Sequence, residues 1–171
     1  MATKLQTEPD PTPLYDEDFY AWAQHQAAAL RRLQAKSPNV ALDFANLIEE
    51  IEGLARSDLR TARSQLRRLI EHLLKLENSP ADRPRRQWLR SVDDARFELE
   101  DVFSRSVRNA VQPLLSQLFA DARRSAALDL EQHGEPAAAR ALPETCPYTL
   151  DQLTDKSWYP ANRHGLVDDP L

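Results

Sequence analysis

The side chains most able to do chemistry in this sequence are the carboxylates and the imidazole of residues 41–77. Glu49, Glu50 and Glu52 form an acidic cluster, and His72 follows in the same helical stretch. Carboxylates and neutral imidazoles ligate metals in helical bundles, so this set suggests a metal-dependent hydrolase. On one straight helix, however, Glu49 and His72 would lie about 34 Å apart at about 1.5 Å per residue. We therefore expect the glutamates to cap a helix or pair with arginines, and His72 to be a partly buried bundle residue.

A second set of such residues lies in the first predicted helix. Asp18, Trp22 and His25 are spaced at i, i+4 and i+7 and share one face. An Asp-His-His metal cluster would form if this face met His72. A tryptophan in such a row more often packs in a core, while an acid at this position interacts with the helix start. We predict no metal and no other cofactor, with Asp18, His25 and His72 as the alternative metal ligands.

Arginines form the clearest charged pattern, which we call the arginine row. Its members are Arg56, Arg60, Arg63 and Arg67, within a sector of about 60° on a helix. Between residues 56 and 90, ten Lys or Arg accompany four acids, a local net charge of +6. The row suits the phosphates of a nucleic acid, an acidic protein partner, or ion pairs with acids of the third predicted helix. Those acids are Asp93, Asp94, Glu98, Glu100 and Asp101.

Common enzyme signatures are absent from the sequence. There is no glycine-rich phosphate loop, no Gly-x-Ser-x-Gly and no His-Glu-x-x-His. The single cysteine, Cys146, has no basic neighbour that would activate it as a nucleophile. These absences favour a non-enzymatic protein over an enzyme.

Composition favours one domain in a reducing compartment. The 171 residues include 3 Gly and carry a formal net charge of −5, which gives no general attraction for nucleic acid or for an anionic membrane. One cysteine excludes an internal disulfide and a Cys-based zinc site. No stretch approaches the roughly 20 apolar residues that span a bilayer, and residues 1–10 lack the apolar core of a signal peptide. We expect a cytoplasmic protein with no membrane association.

Apolar periodicity predicts four helices that position these side chains. The first has an inward face from Phe19 to Leu33, and the long second helix covers residues 41–77. The third runs from Trp88 to Val102, and the fourth from Val111 to Ser125, with Pro113 in its first turn and a stop at residues 133–134. The apolar positions of the long helix are Phe44, Leu47, Ile48, Ile51, Leu54, Leu59, Ala62, Leu66, Leu69, Leu73 and Leu76.

The predicted fold is an all-α, mostly antiparallel bundle of about four helices with an extended C-terminal strap. Prolines set its limits. Residues 1–13 are expected to be a flexible leader, 14–160 a single helical domain and 161–171 a flexible tail. The proline-rich region from residue 135 onward is the strap, with one short helix near residues 150–153.

Five motifs occur in an order that resembles a known family. They are Tyr15-x-x-Asp18-Phe19-x-x-Trp22, Asn46 to Leu54, His72-Leu73-Leu74-Lys75, Trp88 with Arg96, and Cys146-Pro147-Tyr148 to Leu153. Over residues 14–160 the chain resembles the domain of unknown function numbered twenty-nine, a family of small, mostly bacterial proteins. The resemblance implies an all-helical fold and no established activity.

We predict a non-enzymatic interaction module that presents charged helix faces to an unidentified protein partner or to a second copy of itself in a homo-oligomer. The acidic cluster and the arginine row would be neighbouring patches of opposite sign that orient an encounter. Nucleic-acid binding through the arginine row is the alternative. A metal-dependent hydrolase that uses His72 with acidic residues is the third hypothesis.

Overall fold

A computed structural model of the chain describes residues 12–37 and 39–167, and every regular element in these ranges is helical. The α-helices are α1 (Thr12–Glu17), α2 (Phe19–Lys36), α3 (Phe44–Asn78), α4 (Arg85–Glu100), α5 (Arg105–Val111), α6 (Leu115–Gln132), α7 (Pro136–Arg140) and α8 (Leu150–Thr154), with a 3-10 turn at Gln112–Leu114. The predicted all-α class is confirmed. In these same ranges no helix has the length and apolar character needed to cross a membrane.

The last two residues of the expected leader, 12 and 13, are helical. Residues 1–11 lie outside the described ranges, but Thr12 and Pro13 begin α1. Proline is tolerated in a first turn, where its missing N–H would have no helical partner. Asp18 then ends α1 and caps α2, because its carboxylate accepts a hydrogen bond from the Ala21 N–H at 3.0 Å.

The long helix α3 organises the molecule. Asp43 caps its start by accepting from the Asn46 N–H at 3.2 Å, and the helix continues through Gly53 to Asn78. The second half of α3 is the centre of the main core, against which α4, α5, α6 and α8 pack. Fully buried side chains in this half are Leu66, Leu69, Ile70, Leu73 and Leu74. Truncating one of them to alanine would cost about 2–5 kcal/mol.

The first half of α3 packs with α2 in a separate, smaller cluster. Ala27, Phe44 and Ile48 are its buried members, and Leu30 and Ile51 pack against them. The cluster contains residues of α2 and α3 alone. We call α2 together with residues 44–60 of α3 the arm. Among the described helices, α1 and α5 also contact α2, but the cluster itself is two helices thick and so leaves one side of each helix uncovered there.

The predicted fourth helix, from Val111 to Ser125, corresponds mainly to α6, and it is preceded by a further helix, α5, that the periodicity does not predict. The Ser104 hydroxyl caps α5, and the 3-10 turn containing Pro113 separates α5 from α6. Pro113 lies in this 3-10 turn, which precedes α6, instead of in the first turn of α6. The predicted stop is confirmed at Gly134, whose φ of 82° is the left-handed conformation that favours glycine.

Two buried or half-buried arginines bind carbonyls of the strap: Arg123 of α6 donates to Pro143 at 2.7 Å, and Arg96 of α4 binds its later part. Arg96 is 3% exposed and donates to the carbonyl oxygens of Leu153 at 3.0 Å and Trp158 at 2.7 Å. The expected short helix is present as α8, whereas α7 was not predicted. Its first residue, Pro136, was interpreted as a helix breaker although proline also suits the first helical position.

The first residues of the expected tail are hydrogen-bonded to the C-terminal end of α3. The Asn162 side-chain amide donates to the carbonyl oxygens of Leu76 at 2.7 Å and Ser79 at 2.9 Å. The Arg163 N–H donates to the carbonyl of Glu77 at 2.9 Å. These bonds satisfy carbonyls that a helix end leaves without partners. The packed domain thus extends beyond the predicted limit at residue 160, and residues 168–171 lie outside the described ranges.

Candidate functional site

The arm exposes large apolar side chains. Leu47 and Leu54 lie seven residues apart on one face of α3 and are 41% and 51% exposed. Leu33, Val40 and Leu42, toward the distal end of the arm, are exposed as well. The apolar periodicity predicts Leu33, Leu47 and Leu54 on inward faces, and this prediction is wrong. The helices α2 and α3 cover only one side of each other, so the neighbouring apolar positions remain open to solvent.

The acidic cluster is partly neutralised within the arm. Glu52 accepts from Arg31 of α2 at 2.7 Å, and Arg56 lies 3.5 Å from Glu49 and 3.9 Å from Glu52. No ion pair joins Glu50 to another residue of the described ranges. Exposed pairs of this kind contribute about 0–1 kcal/mol each, so they orient side chains more than they stabilise the arm.

Two members of the arginine row form ion pairs in the described ranges, and the other two do not. Arg56 contacts the acidic cluster, and Arg67 lies 3.9 Å from Glu71 and 3.5 Å from the Ser125 hydroxyl. Arg60 and Arg63 are exposed and form no ion pair in the part of the chain that the structure describes.

The acids of α4 pair mainly with other partners. Asp94 lies 3.9 Å from Arg68, a neighbour of the row, while Glu100 pairs with Lys156 at 2.5 Å and Asp93 accepts from the Tyr159 hydroxyl. The structure therefore does not bring the arginine row onto α4.

The alternative metal ligands are not brought together. Asp18 accepts from the Ser104 hydroxyl and the Ser106 N–H, both at 2.8 Å, and so ties α2 to α5. Burial opposes ionisation of Asp18, but hydrogen bonds from Ala21, Ser104 and Ser106 outweigh it and hold the pKa below its ordinary value. His25 is exposed. Across residues 12–37 and 39–167, no three His, Cys, Asp or Glu side chains gather in a way that could hold a metal ion.

A polar cavity of about 230 Å³ lies between α3, α4, α6 and the turn before α7. Its lining includes Glu71, His72, Lys75, Pro84, Gln87, Trp88, Asp129, Leu130, His133 and Glu135. The Lys75 side chain is 3% exposed, and its ammonium lies 3.0 Å from Glu71 and 2.8 Å from Asp129. It also lies 5.7 Å from the centre of the Trp88 ring, within cation–π range.

Two histidines of this cavity differ in their hydrogen bonding. His133 Nδ1 lies 2.7 Å from the Asp129 carbonyl oxygen, which can only accept, so Nδ1 donates in this contact. His72 Nδ1 is buried and has no hydrogen-bond partner among the described residues. Burial, with the positive charges of Lys75 and Arg68, lowers the pKa of His72 from 6.5 to about 4. The His72 ring is therefore neutral at physiological pH.

Sequence reasoning singled out His72 but missed the other cavity residues. One signal was available, because Lys75 lies between Leu74 and Leu76 on the most apolar part of α3. A lysine in such a run must be buried with a partner or leave a gap in the core. Asp129 and Glu135 gave no comparable signal, since they come from a different helix and a turn.

The described geometry can be compared with known proteins. A family model described as "Domain of unknown function DUF29" matches residues 14–159. The chain belongs to the DUF29 family. A crystal structure of an alpha-helical protein of unknown function from Rhodospirillum rubrum ATCC 11170 has a TM-score of 0.75 and 25% identity to this chain, covering 84% of it and 90% of the other chain. No curated protein is significantly similar in sequence.

Four of the five motifs that carried the resemblance to DUF29 lie at joints of the fold or at the polar cavity, and the fifth, Asn46 to Leu54, lies on the arm. Asp18 links α2 to α5, and Arg96 and Tyr148 hold the strap, with the Tyr148 hydroxyl donating to Glu77 at 2.6 Å. Lys75 and Trp88 line the cavity. Two of these roles are architectural, so the motifs alone do not assign an activity.

Proposed function

We propose that this DUF29 protein is a non-enzymatic interaction module whose arm binds another protein. The observation that carries the proposal is the exposure of Leu33, Leu47 and Leu54 on a layer only two helices thick. Fully burying an exposed leucine contributes about 1.5–3 kcal/mol, and these leucines are about half exposed, so covering each of them would contribute roughly half of that. The occupant is an unidentified protein partner or, in a homo-oligomer, a second copy of the chain. The single cysteine supports a reducing compartment, the cytoplasm.

Charge on the arm supports specificity more than affinity. The pairs among Arg31, Glu52 and Arg56 are satisfied internally. Three charged side chains of this region form no ion pair in the described ranges, namely Glu50, Arg60 and Arg63. They can set the orientation and the association rate of a partner protein. The role proposed for the two patches is thus secondary to that of the apolar side chains.

Nucleic-acid binding is the second candidate function, supported by the exposure of Arg60 and Arg63 without ion pairs in the described ranges. Two phosphate contacts would give a weak salt dependence, with a slope of about −0.9 for each. The net charge of −5 opposes such binding over the rest of the surface. We therefore rank it below protein binding.

Co-purification from cells of the native organism separates these functions. We expect tagged wild-type chain to retain a protein, or a second differently tagged copy, and the double variant Leu47→Ser/Leu54→Ser to lose it. The matched control is Phe97→Ser/Leu128→Ser, which removes two exposed apolar side chains outside the arm.

Equal retention by both double variants would contradict the proposal. Nuclease-sensitive nucleic acid that is retained by the wild type and lost in Arg60→Glu/Arg63→Glu would favour the second candidate instead.

A further inference from the structure

The two sides of the arm differ in chemistry, and the ion pair between its helices shows which residues share a side. Arg31 of α2 lies 2.7 Å from Glu52 of α3, so both lie on the same side of the arm. At about 100° per residue, Leu33 is about 160° from Arg31 around α2. Leu54 is likewise about 160° from Glu52 around α3. The two leucines therefore lie together on the opposite side, which we call the leucine face.

The leucine face continues along both helices as an apolar surface. Leu47 is about 20° from Leu54 around α3. Trp22 is about 20° from Leu33 around α2 and is half-buried. The Trp22 ring contacts Tyr15, which is half exposed, with ring centres 4.8 Å apart. Tryptophan and tyrosine are enriched among the side chains that contribute most to protein binding, so this end of the face also suits a protein partner.

The ionisable side chains that flank Leu54 on this face are acidic. Glu50 and Asp58 precede and follow Leu54 by four residues, about 40° from it around α3. Neither carboxylate forms an ion pair or a hydrogen bond through its side chain within the described ranges. Burial raises the pKa of Asp58 above its ordinary value, as expected for a carboxylate without a compensating cation. The centre of the leucine face thus carries uncompensated negative charge.

The basic residues of the arm lie away from this centre. The exposed arginines of α3 are about 120–180° from Leu54 around the helix, namely Arg56, Arg60 and Arg63. On α2, Arg32 and Lys36 are about 100° and 60° from Leu33 and belong to the outer edge and distal end of the arm. Neither helix therefore places a cation beside Leu54.

We propose that the leucine face binds a basic amphipathic helix of a partner protein, whose apolar stripe is flanked by lysine or arginine. The inference rests on the proposed function, protein binding by the arm, and specifies the partner. Apolar side chains seven residues apart on such a helix would meet Leu47 and Leu54, and its cations would lie beside Glu50 and Asp58. A second copy of the chain fits less well, because two leucine faces in contact would bring carboxylates together, and each copy has a net charge of −5.

Fluorescence anisotropy of the full chain with synthetic helical peptides tests the proposal. Two peptides share one heptad pattern of leucines, and their polar positions hold lysine in the first and glutamate in the second. We expect the lysine peptide to bind at least about tenfold more tightly than the glutamate peptide. A scrambled lysine peptide of the same composition should also bind about tenfold or more weakly, because it lacks an apolar stripe.

Variants of the chain locate the binding site. Glu50→Gln/Asp58→Asn should weaken binding of the lysine peptide by about tenfold or more, and Leu47→Ser/Leu54→Ser should abolish it. The matched control is Glu98→Gln/Glu131→Gln, which changes the net charge equally at exposed positions outside the arm and should bind as the wild type does. Circular dichroism and thermal melting of each variant establish that it is folded.

Absence of binding of the lysine peptide up to about 1 mM would overturn this inference. Equal binding of the lysine peptide and either comparison peptide would overturn it too, as would equal weakening by the two carboxylate double variants. A wild-type dimer in sedimentation that Leu47→Ser/Leu54→Ser dissociates would identify a second copy as the occupant and so contradict it. In each case the proposed function is judged separately, by whether co-purification recovers a protein that depends on Leu47 and Leu54.

Discussion

At the scale of residues, Lys75 and His72 illustrate how charge is handled inside the bundle. Both lie on the second half of α3, where the neighbouring leucines are buried. Lys75 forms ion pairs with Glu71 and Asp129, and removing either partner would weaken the compensation for burying its side chain. His72 forms no ion pair with the described residues, and burial lowers its pKa so that it remains neutral.

His72 should make stability depend on pH. Its pKa is about 4 in the folded chain and 6.5 when unperturbed, so the unfolded state binds more protons between these values. Stability is therefore fully present above about pH 6.5 and falls as the pH decreases toward 4. Because the ring is only partly buried, we expect the contribution to be on the order of 1–2 kcal/mol.

Urea unfolding at several pH values measures this contribution. The decrease in unfolding free energy between pH 6.5 and 4 should be smaller in His72→Gln than in the wild type. The control His25→Gln removes an exposed imidazole and should follow the wild type. Parallel pH profiles for His72→Gln and the wild type would show that His72 titrates normally.

At the scale of elements, Arg96 is the main hydrogen-bond donor to the carbonyls between α8 and Trp158. The Arg96 guanidinium reaches the carbonyls of Leu153 and Trp158 and stacks 4.8 Å from the centre of the Tyr159 ring. Lysine could not reproduce this, because it lacks the planar fork of donors. The strap and α8 are therefore attached to α4 through geometry that only arginine provides.

Replacing Arg96 with lysine should destabilise the chain by about 2–3 kcal/mol, because buried carbonyls of the strap would lose their donors. Chemical denaturation measures the loss. Arg90→Lys on the same helix is the matched control, since Arg90 is exposed, and it should change stability by less than about 0.5 kcal/mol. A stability for Arg96→Lys equal to that of the control would mean that the hydrogen bonds of Arg96 do not stabilise the strap.

Local sequence patterns predict where the helices of this chain lie better than they predict which helix faces are packed against other helices. The long helix, the stop at Gly134 and the short α8 follow from caps, glycine and periodicity, which act within a few residues. Exposure of Leu47 and Leu54 did not follow, because it depends on how many helices surround that part of α3. The polar cavity did not follow either, since Lys75 and Asp129 are 54 residues apart in the sequence.

At the scale of the whole molecule, α3 belongs to two environments. Its second half is enclosed by the bundle, whereas its first half has a cluster with α2 alone. The chain therefore combines a closed core, which holds the polar cavity, with an arm that leaves large apolar side chains in water. Monomeric proteins rarely leave extended apolar patches exposed without a binding function. This contrast within one helix is the physical basis for assigning protein binding to the arm.

Photo-crosslinking in cells tests that assignment most directly. A photoreactive p-benzoylphenylalanine replaces Leu54 of the arm in one variant and Leu128, an equally exposed leucine of α6, in another. We expect irradiation to give a discrete covalent adduct with a protein from position 54 and none from position 128. No adduct from position 54, or the same adducts from both positions, would contradict the account.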